Sequence, residues 1–320
     1  MDLFRYWALV ATVLGLLGIA TWVGQWLRRQ ESSRVDRRAV EAYNARIQAW
    51  WFFGVVLGLA IVWQDITVIL FGMLSFWALR EFVTLTPTRP GDHRALFWVF
   101  FFFTPMQFVL VWVDNYGLYS VLIPVYAFLF IAVRAAISGD YDRFLERIAK
   151  VQCGLMICVY CLSFAPAMLY LKIDNLSGVN DPYAQYRTLY FFVTIVLFAD
   201  MLEWGFSRMY GNHIIAEKID PQLSWEGVLA SAGCTAVAGA ALAWATPFPH
   251  WWQAAAMSLL IALMAAAGSL TMAAIKRDRG ELVTGNFVEG HGGVLSRIDS
   301  ICFAAPVFYH VTRYFFAGAE

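Results

Sequence analysis

The chain has 320 residues, of which 60% are hydrophobic and 14% are charged, and it contains 26 Phe and 14 Trp. A soluble domain of this length needs far more polar surface, so the excess of apolar side chains must face lipid. The formal net charge is zero, which gives no indication of a nucleic-acid partner. The composition therefore predicts an integral membrane protein.

Apolar stretches long enough to cross a bilayer recur along the chain, about ten of them on the usual length criterion. Lipid offers backbone amides no partner, and the stretches lack the alternation of barrel strands, so an all-α fold is predicted. The predicted spans are 4–26, 49–63, 66–79, 95–113, 116–137, 150–171, 188–207, 225–246, 251–275 and 299–316. The first is expected to be retained, because no small-residue cleavage site follows it. The second and third are short, which suggests a tilted or shallow hairpin.

Basic residues concentrate in alternate connections between these spans. Most of the 23 Lys and Arg fall in one set of loops, for example Arg28, Arg37, Arg89, Arg143, Lys218, Arg277 and Arg297. The positive-inside rule places that set in the cytosol, with both termini outside, for a multi-pass protein of the inner (plasma) membrane. Residues 1–320 are predicted to form one membrane domain, with spans one to six in 1–186 and spans seven to ten in 187–320.

The first polar segment of interest runs from residue 200 to residue 227. Asp200 and Glu203 lie at the inner end of span seven on one helix face. A carboxylate pair at the end of a membrane helix is costly unless it binds a cation or pairs with a basic side chain. Salt bridges to Arg208 or Lys218 are the structural alternative. Ser224, which is a candidate substrate-binding residue, is also a natural N-cap for span eight.

The second polar segment, 267–300, is the most informative of the chain. Its sequence Gly290-His291-Gly292-Gly293 allows backbone N–H groups to approach an anion closely, since glycine has no Cβ. Basic side chains that could neutralise phosphates lie on both sides of this turn, namely Lys276, Arg277 and Arg297. An ordinary cytosolic loop is the alternative, but the combination of His, glycines, Arg and Asp favours an anion site.

The segment 276–300 resembles the C-terminal signature of the phosphatidate cytidylyltransferase (CDP-diacylglycerol synthase) family. The matching residues are Lys276, Arg277, Gly280, Gly285, Gly290, His291, Gly292, Gly293, Arg297, Asp299 and Ser300. Earlier positions also resemble the family: Asp200, Gly211, Pro221, Glu226, Gly227 and the pair Arg80-Glu81. The resemblance covers roughly the C-terminal 120 residues well and the remainder by topology.

Several positions depart from the family pattern. Leu282-Val283 stands in place of a Lys-Asp pair, Ser296 and Ser269 each replace an Asp, and Glu289 replaces a Pro. In the earlier stretch, Asp220, Leu223 and Ser224 replace Ser, Lys and Thr. The replaced acids are those that the family is thought to use for its metal ions, so the fold implied by the resemblance is firmer than the catalytic activity.

The resemblance implies transfer of CMP from CTP to a phosphatidate-like membrane lipid, giving CDP-diacylglycerol and pyrophosphate. The implied catalytic residues are Asp200, Lys276, Arg277, His291 and Asp299; the implied substrate-binding residues are Gly290, Gly292, Gly293, Arg297 and Ser224. Mg²⁺ or Mn²⁺ is the expected cofactor, with Asp200, Glu203 and Glu281 as its candidate ligands.

Two other functions remain open from the sequence. One is a non-catalytic homologue that binds the headgroup or nucleotide as a regulatory or partner subunit. The other is a transporter, which would need charged residues or broken helices at mid-bilayer, where the spans offer few. The spacing Cys158-Val-Tyr-Cys161 is read as packing residues rather than a redox pair. A homodimer is also left open.

The topology can be tested by cysteine labelling from outside intact cells. Cysteines placed at Asp114 or His250 are expected to react, whereas those at Ser32 or Asn286 are expected to be protected, because the basic loops are cytosolic. Labelling of Asn286 from outside would invert the topology.

Overall fold

The computed structural model describes residues 64–86, 89–173, 184–246, 248–279 and 293–316, together with scattered positions between 11 and 51. The long helical segments of these ranges are α1 Gln64–Leu85, α2 Pro90–Trp112, α3 Tyr116–Ala136, α4 Phe144–Tyr170, α5 Ala184–Tyr210, α6 Trp225–Ala241, α7 Trp251–Asp278 and α8 Leu295–Phe316. One antiparallel hairpin, β1 Ile214–Ala216 and β2 Asp220–Ser224, connects α5 to α6. A short 3₁₀ turn, Ala243–Ala245, follows α6.

The architecture confirms the predicted all-α membrane fold. Among the described residues, six segments, α1 to α5 and α7, are long and apolar enough to cross a membrane. Spans four to ten each correspond to one helix, whereas spans 4–26 and 49–63 lie mostly outside the described residues. The expectation of a short third span is wrong, because α1 has 22 residues. The helix begins two residues earlier and ends six residues later than the predicted span 66–79. At its start, Gln64 donates to the Leu169 carbonyl (3.0 Å) and Asp65 accepts from Trp112 (2.8 Å).

Helix α4 lies at the centre of the molecule, since it is the most buried of the six spanning segments, whereas α3 is the least buried. One continuous hydrophobic core joins α4 to α1, α2, α5 and α8. Aromatic side chains fill it; Phe164 of α4, for example, packs against Tyr309 of α8 with ring centroids 5.2 Å apart. The outer faces of α2 and α3 carry large exposed apolar residues, as expected for lipid contact.

Helices α2, α3 and α4 each contain a π-helical segment, at Val99–Phe103, Leu122–Ala127 and Met156–Cys161. Such segments leave backbone carbonyls poorly bonded, and lipid cannot satisfy them. In α2 the Val99 carbonyl accepts two hydrogen bonds from Thr104, one from its backbone amide and one from its hydroxyl at 2.8 Å.

The last four helices, α5 to α8, pack closely through small residues. Ala199, Ala232 and Ala262 form a separate buried cluster where α5, α6 and α7 meet. Gly239 of α6 lies so close to Ser258 of α7 that a Cβ at Gly239 would overlap the serine hydroxyl. Small side chains let helix backbones approach in membranes, where dispersion contacts drive association.

The loops that the sequence predicts to share one side do meet at one end of the bundle. Arg147, at the start of α4, forms ion pairs with Asp92 (2.7 Å) and Asp140 (2.9 Å). Arg89 also pairs with Asp142 (2.5 Å). These contacts join the connection before α2 to the connection between α3 and α4. This basic end is the one that carries the polar segments identified in the sequence.

Replacement of Arg147 by Ala is expected to destabilise the protein by about 3–5 kcal/mol, because it leaves the buried Asp92 carboxylate without its cation. Arg143→Ala is the matched control, since the Arg143 side chain is 73% exposed and its contact with Glu146 is long, at 4.0 Å. Thermal unfolding in detergent measures both variants. Equal loss of stability in the two would contradict a structural role for the buried pair.

Candidate functional site

The hairpin and the start of α6 are held to α5 by a chain of hydroxyl groups. Ser224 caps α6, since its Oγ accepts a hydrogen bond from the Gly227 amide at 3.1 Å. The Ser224 hydroxyl in turn donates to Ser207 of α5 (3.3 Å), and Ser207 donates to the Glu203 carboxylate (3.0 Å). Ser224 is almost fully buried. The structure therefore places it as the helix cap that the sequence suggests.

Close contacts fix this corner further. A Cβ at Gly227 would overlap Ser207, including its Cα, so only glycine allows α6 to lie this close to α5. On the outside of the hairpin, Glu226 accepts a hydrogen bond from the His213 amide at 3.1 Å and also contacts the His213 ring. Glu226 and Gly227, both part of the family-like stretch, thus stabilise the entry into α6.

A buried polar centre lies deeper, where α5, α7 and α8 meet. The Ser300 hydroxyl donates to Asp200 Oδ1 at 2.7 Å. Asp299 Oδ1 accepts from the Ser300 amide at 2.8 Å and lies 3.5 Å from the same hydroxyl. A serine hydroxyl has one hydrogen, so Ser269, whose Oγ is 3.3 Å from that of Ser300, is the donor in their contact. Two carboxylates and two hydroxyls converge here.

A second polar layer lies nearer the basic end. Lys276, which is on α7 beyond Ser269, donates to the Ser296 hydroxyl at 2.7 Å. The carboxylate of Glu81, near the end of α1, accepts a hydrogen bond from the Leu295 amide at 3.1 Å. It also interacts electrostatically with Lys276. Helices α1, α7 and α8 therefore bring a cation, a carboxylate and a helix N-terminus together.

The remaining site residues from the sequence fall into three groups. Arg277 reaches the hairpin, where its Nε donates to the Ile219 carbonyl at 3.3 Å. Gly293 is buried against Glu81, and Arg297 is half-buried in the first turn of α8. Four predicted residues lie outside the described part of the chain: Glu281, Gly290, His291 and Gly292.

The expected divalent metal can be compared with the oxygen ligands present. Among the described residues, no group of three or more His, Cys, Asp or Glu side chains could hold a metal ion. Asp200 and Asp299 nevertheless flank one hydroxyl, and Mg²⁺ often takes only one or two protein carboxylates with substrate oxygens. Glu203 instead accepts from Ser207, on the hairpin side. The two carboxylates beside Ser300 therefore fit a hard divalent cation whose remaining ligands are oxygens of a bound substrate.

Three residues of the site are not predicted from the sequence as functional residues. Ser207 carries no sequence signal, since serine is common in membrane helices. Ser300 matches the signature, but the signature alone assigns it no role. Glu81 matches only as part of a dipeptide, although an ionisable residue within a spanning helix is a functional candidate by default.

Fold and site together define a polytopic α-helical membrane protein with a polar centre between its C-terminal helices. Residues 44–315 match the model of the cytidylyltransferase family. The chain therefore belongs to this family, as the signature residues predicted.

Individual relatives agree with this assignment. An uncharacterised Escherichia coli K12 protein, YnbB, is 28% identical over 95% of this chain and 97% of its own length. The phosphatidate cytidylyltransferase of Brucella abortus is 27% identical over 43% of this chain and 51% of its own length. That of Synechocystis is 34% identical over 37% of this chain and 42% of its own length. The chain thus spans about half the length of the phosphatidate cytidylyltransferases that it matches.

Removal of the central hydroxyl should show how much the polar centre contributes to stability. Ser300→Ala is expected to cost about 1.5–3 kcal/mol, since the half-buried Asp200 carboxylate loses a charge-assisted donor. Ser269→Ala, the matched control at the edge of the same centre, should cost about 0.5–1.5 kcal/mol, because it removes a bond between neutral groups. Thermal unfolding in detergent ranks the two variants. The reverse order would show that Ser300 does not hold the centre together.

Proposed function

We propose that this protein is a CTP:phosphatidate cytidylyltransferase that produces CDP-diacylglycerol. The observation that carries the proposal is the convergence of Asp200, Asp299 and Ser300, with Lys276 on the adjoining turns of α7. The resemblance noted in the sequence implies that these are signature positions, and the chain belongs to the cytidylyltransferase family. The names of several relatives, which state phosphatidate cytidylyltransferase activity, support the same reaction.

In this reaction a phosphate oxygen of the lipid attacks the α-phosphorus of CTP. The bond from that phosphorus to the oxygen bridging to the β-phosphate breaks, and pyrophosphate leaves with its electron pair. Little covalent chemistry is required of the protein, so catalysis rests on alignment and charge neutralisation. Lys276, Arg277 and Arg297 supply the positive charge, and the glycine-rich turn supplies backbone N–H groups.

A divalent cation, Mg²⁺ or Mn²⁺, would be held by Asp200 and Asp299. When bound, it supplies positive charge to the phosphates. Ser300 orients both carboxylates, and Ser269 fixes the hydroxyl of Ser300. The basic end faces the cytosol in this proposal, so CTP enters from water while the lipid headgroup approaches from the inner leaflet.

A non-catalytic member of the family is the second candidate. The observation that favours it is the closed bonding of the two serines that replace family carboxylates. Ser269 bonds with Ser300, and Ser296 accepts from Lys276. An acid at either position could bind metal, whereas each serine hydrogen-bonds to a neighbouring side chain instead. Such a protein would bind nucleotide or headgroup without turnover.

Purified protein with CTP, phosphatidate and Mg²⁺ is expected to form CDP-diacylglycerol and to stop when EDTA removes the metal. Asp200→Asn should lower turnover by about a hundredfold or more, because a neutral amide holds a divalent cation poorly. Quantification of the lipid product by mass spectrometry measures both effects. Glu217→Gln is the matched control: the same change on the exposed turn of the hairpin should leave turnover unchanged.

The assay also separates the two candidates. Absence of product, together with calorimetric binding of CTP or phosphatidate that Arg297→Ala weakens, would establish the non-catalytic function. Product formation that persists in Asp200→Asn would remove Asp200 from the mechanism. A wild type that neither turns over nor binds either compound would contradict both functions.

A further inference from the structure

A long groove lies between α1 and α2 on the outside of the bundle. Its volume is about 760 Å³, and the residues that line it all belong to these two helices. That volume is in the range of sites that hold small ligands, about 300–1,000 Å³. Ile69, Met73 and Phe101 line the groove and are each more than half exposed, so it opens toward lipid. An apolar chain can therefore enter it from the membrane.

The groove covers the half of α1 that is farther from the basic end. Along α1 it extends from Asp65 to Trp77, about 18 Å at 1.5 Å per residue. On α2, which runs in the opposite direction, it extends from Trp112 back to Phe100. The hydrocarbon of one leaflet is about 15 Å deep, half the thickness of the bilayer core. The groove thus matches the depth of the leaflet at the far end, opposite the basic end.

Aromatic rings close the groove near the middle of the membrane. Phe76 packs edge-on against Phe100 and Phe101, with ring centroids 5.2 and 6.3 Å apart. An acyl chain that enters from the far end would end against these rings. In the proposed function the headgroup of the substrate lipid lies at the basic end. The occupant of this groove is therefore a different lipid molecule.

The mouth of the groove at the far end carries one acidic group. Among the lining residues Asp65 is the only one with a charged side chain, and it is exposed. The Trp112 indole donates to its Oδ1 at 2.8 Å, and within the described ranges its Oδ2 has no donor. The first turn of α1 stabilises the ionised carboxylate. A lipid ammonium group would complement this charge, whereas an anionic headgroup would be repelled.

We propose that the groove between α1 and α2 holds one acyl chain of a resident phospholipid whose headgroup carries an amine, as in phosphatidylethanolamine. The ammonium group pairs with Asp65 at the far end, and the chain ends at the ring of Phe76. This lipid belongs to the leaflet opposite the candidate site, so the inference does not depend on the proposed function. Because the lipid binds the folded bundle, it stabilises the protein.

Native mass spectrometry tests the headgroup. Phosphatidylethanolamine and phosphatidylglycerol with the same acyl chains are each titrated onto delipidated protein in mild detergent. The wild type should retain one phosphatidylethanolamine about fivefold more tightly, the upper range for one exposed ion pair. Asp65→Asn should reduce this preference to within about twofold, because the amide accepts from Trp112 but carries no charge. Asp114→Asn is the control, since Asp114 is exposed at the same end but does not line the groove.

Filling the groove tests the acyl chain separately. Val109→Trp should lower retention of both lipids about tenfold, because the indole takes the space of several methylene groups and their packing contacts are lost. Val125→Trp is the matched control: the two valines are 45% and 44% exposed, but Val125 lies on α3 outside the groove. Ile69→Trp fills the groove from α1 and replaces Val109→Trp if that variant does not fold. Phosphatidylethanolamine should raise the unfolding temperature of the wild type and of Val125→Trp, but not of the filled variants.

Three results would overturn the lipid site. Equal retention of the two headgroups by the wild type would remove the role of Asp65. Retention that neither Val109→Trp nor Ile69→Trp weakens would show contact with bulk lipid only. Failure of the wild type to retain either lipid would leave the groove to a second copy of the chain or to another of its segments.

Discussion

The hydrogen bond from Ser300 to Asp200 joins α8 to α5 across 100 residues of sequence. A carboxylate within an apolar bundle is tolerated only if donors or cations compensate for its lost hydration. The helices that supply those donors must therefore stay in contact. Ser269 of α7 completes the arrangement, so three helices are fixed around one hydroxyl.

The sequence predicted the class of fold and most of the spans because hydrophobicity and basic loops are local properties. It failed on the length of α1, since Gln64-Asp65 at its start and Arg80-Glu81 near its end look too polar for a membrane helix. The partners of the first pair, Leu169 and Trp112, belong to other helices and cannot be identified from local composition. The sequence does not predict the hairpin between α5 and α6, because its strands have only three and five residues.

For the candidate site, a contiguous signature could be recognised, whereas contacts between distant segments could not. Lys276, Arg297 and Asp299 were identified from a single stretch of sequence. Glu81 reaches that stretch only through tertiary structure. The serine replacements show the same limit. Sequence shows that Ser269 and Ser296 lack a charge, but only the structure shows that each is bonded to a neighbouring signature residue. The choice between an active and a non-catalytic member of the family depends on those bonds.

The π-helical segments of α2, α3 and α4 have a consequence for comparing this chain with its relatives. A π segment accommodates an extra residue in one turn, so the side chains after it are rotated relative to those before it. Correct superposition on a relative with regular helices would then require single-residue gaps inside membrane spans. Alignment methods normally place gaps in loops. Helices α5 to α8 are uninterrupted α-helices, so the C-terminal half can be aligned without gaps in its spans. Evolutionary distance measured over the N-terminal spans would be overstated by the same effect.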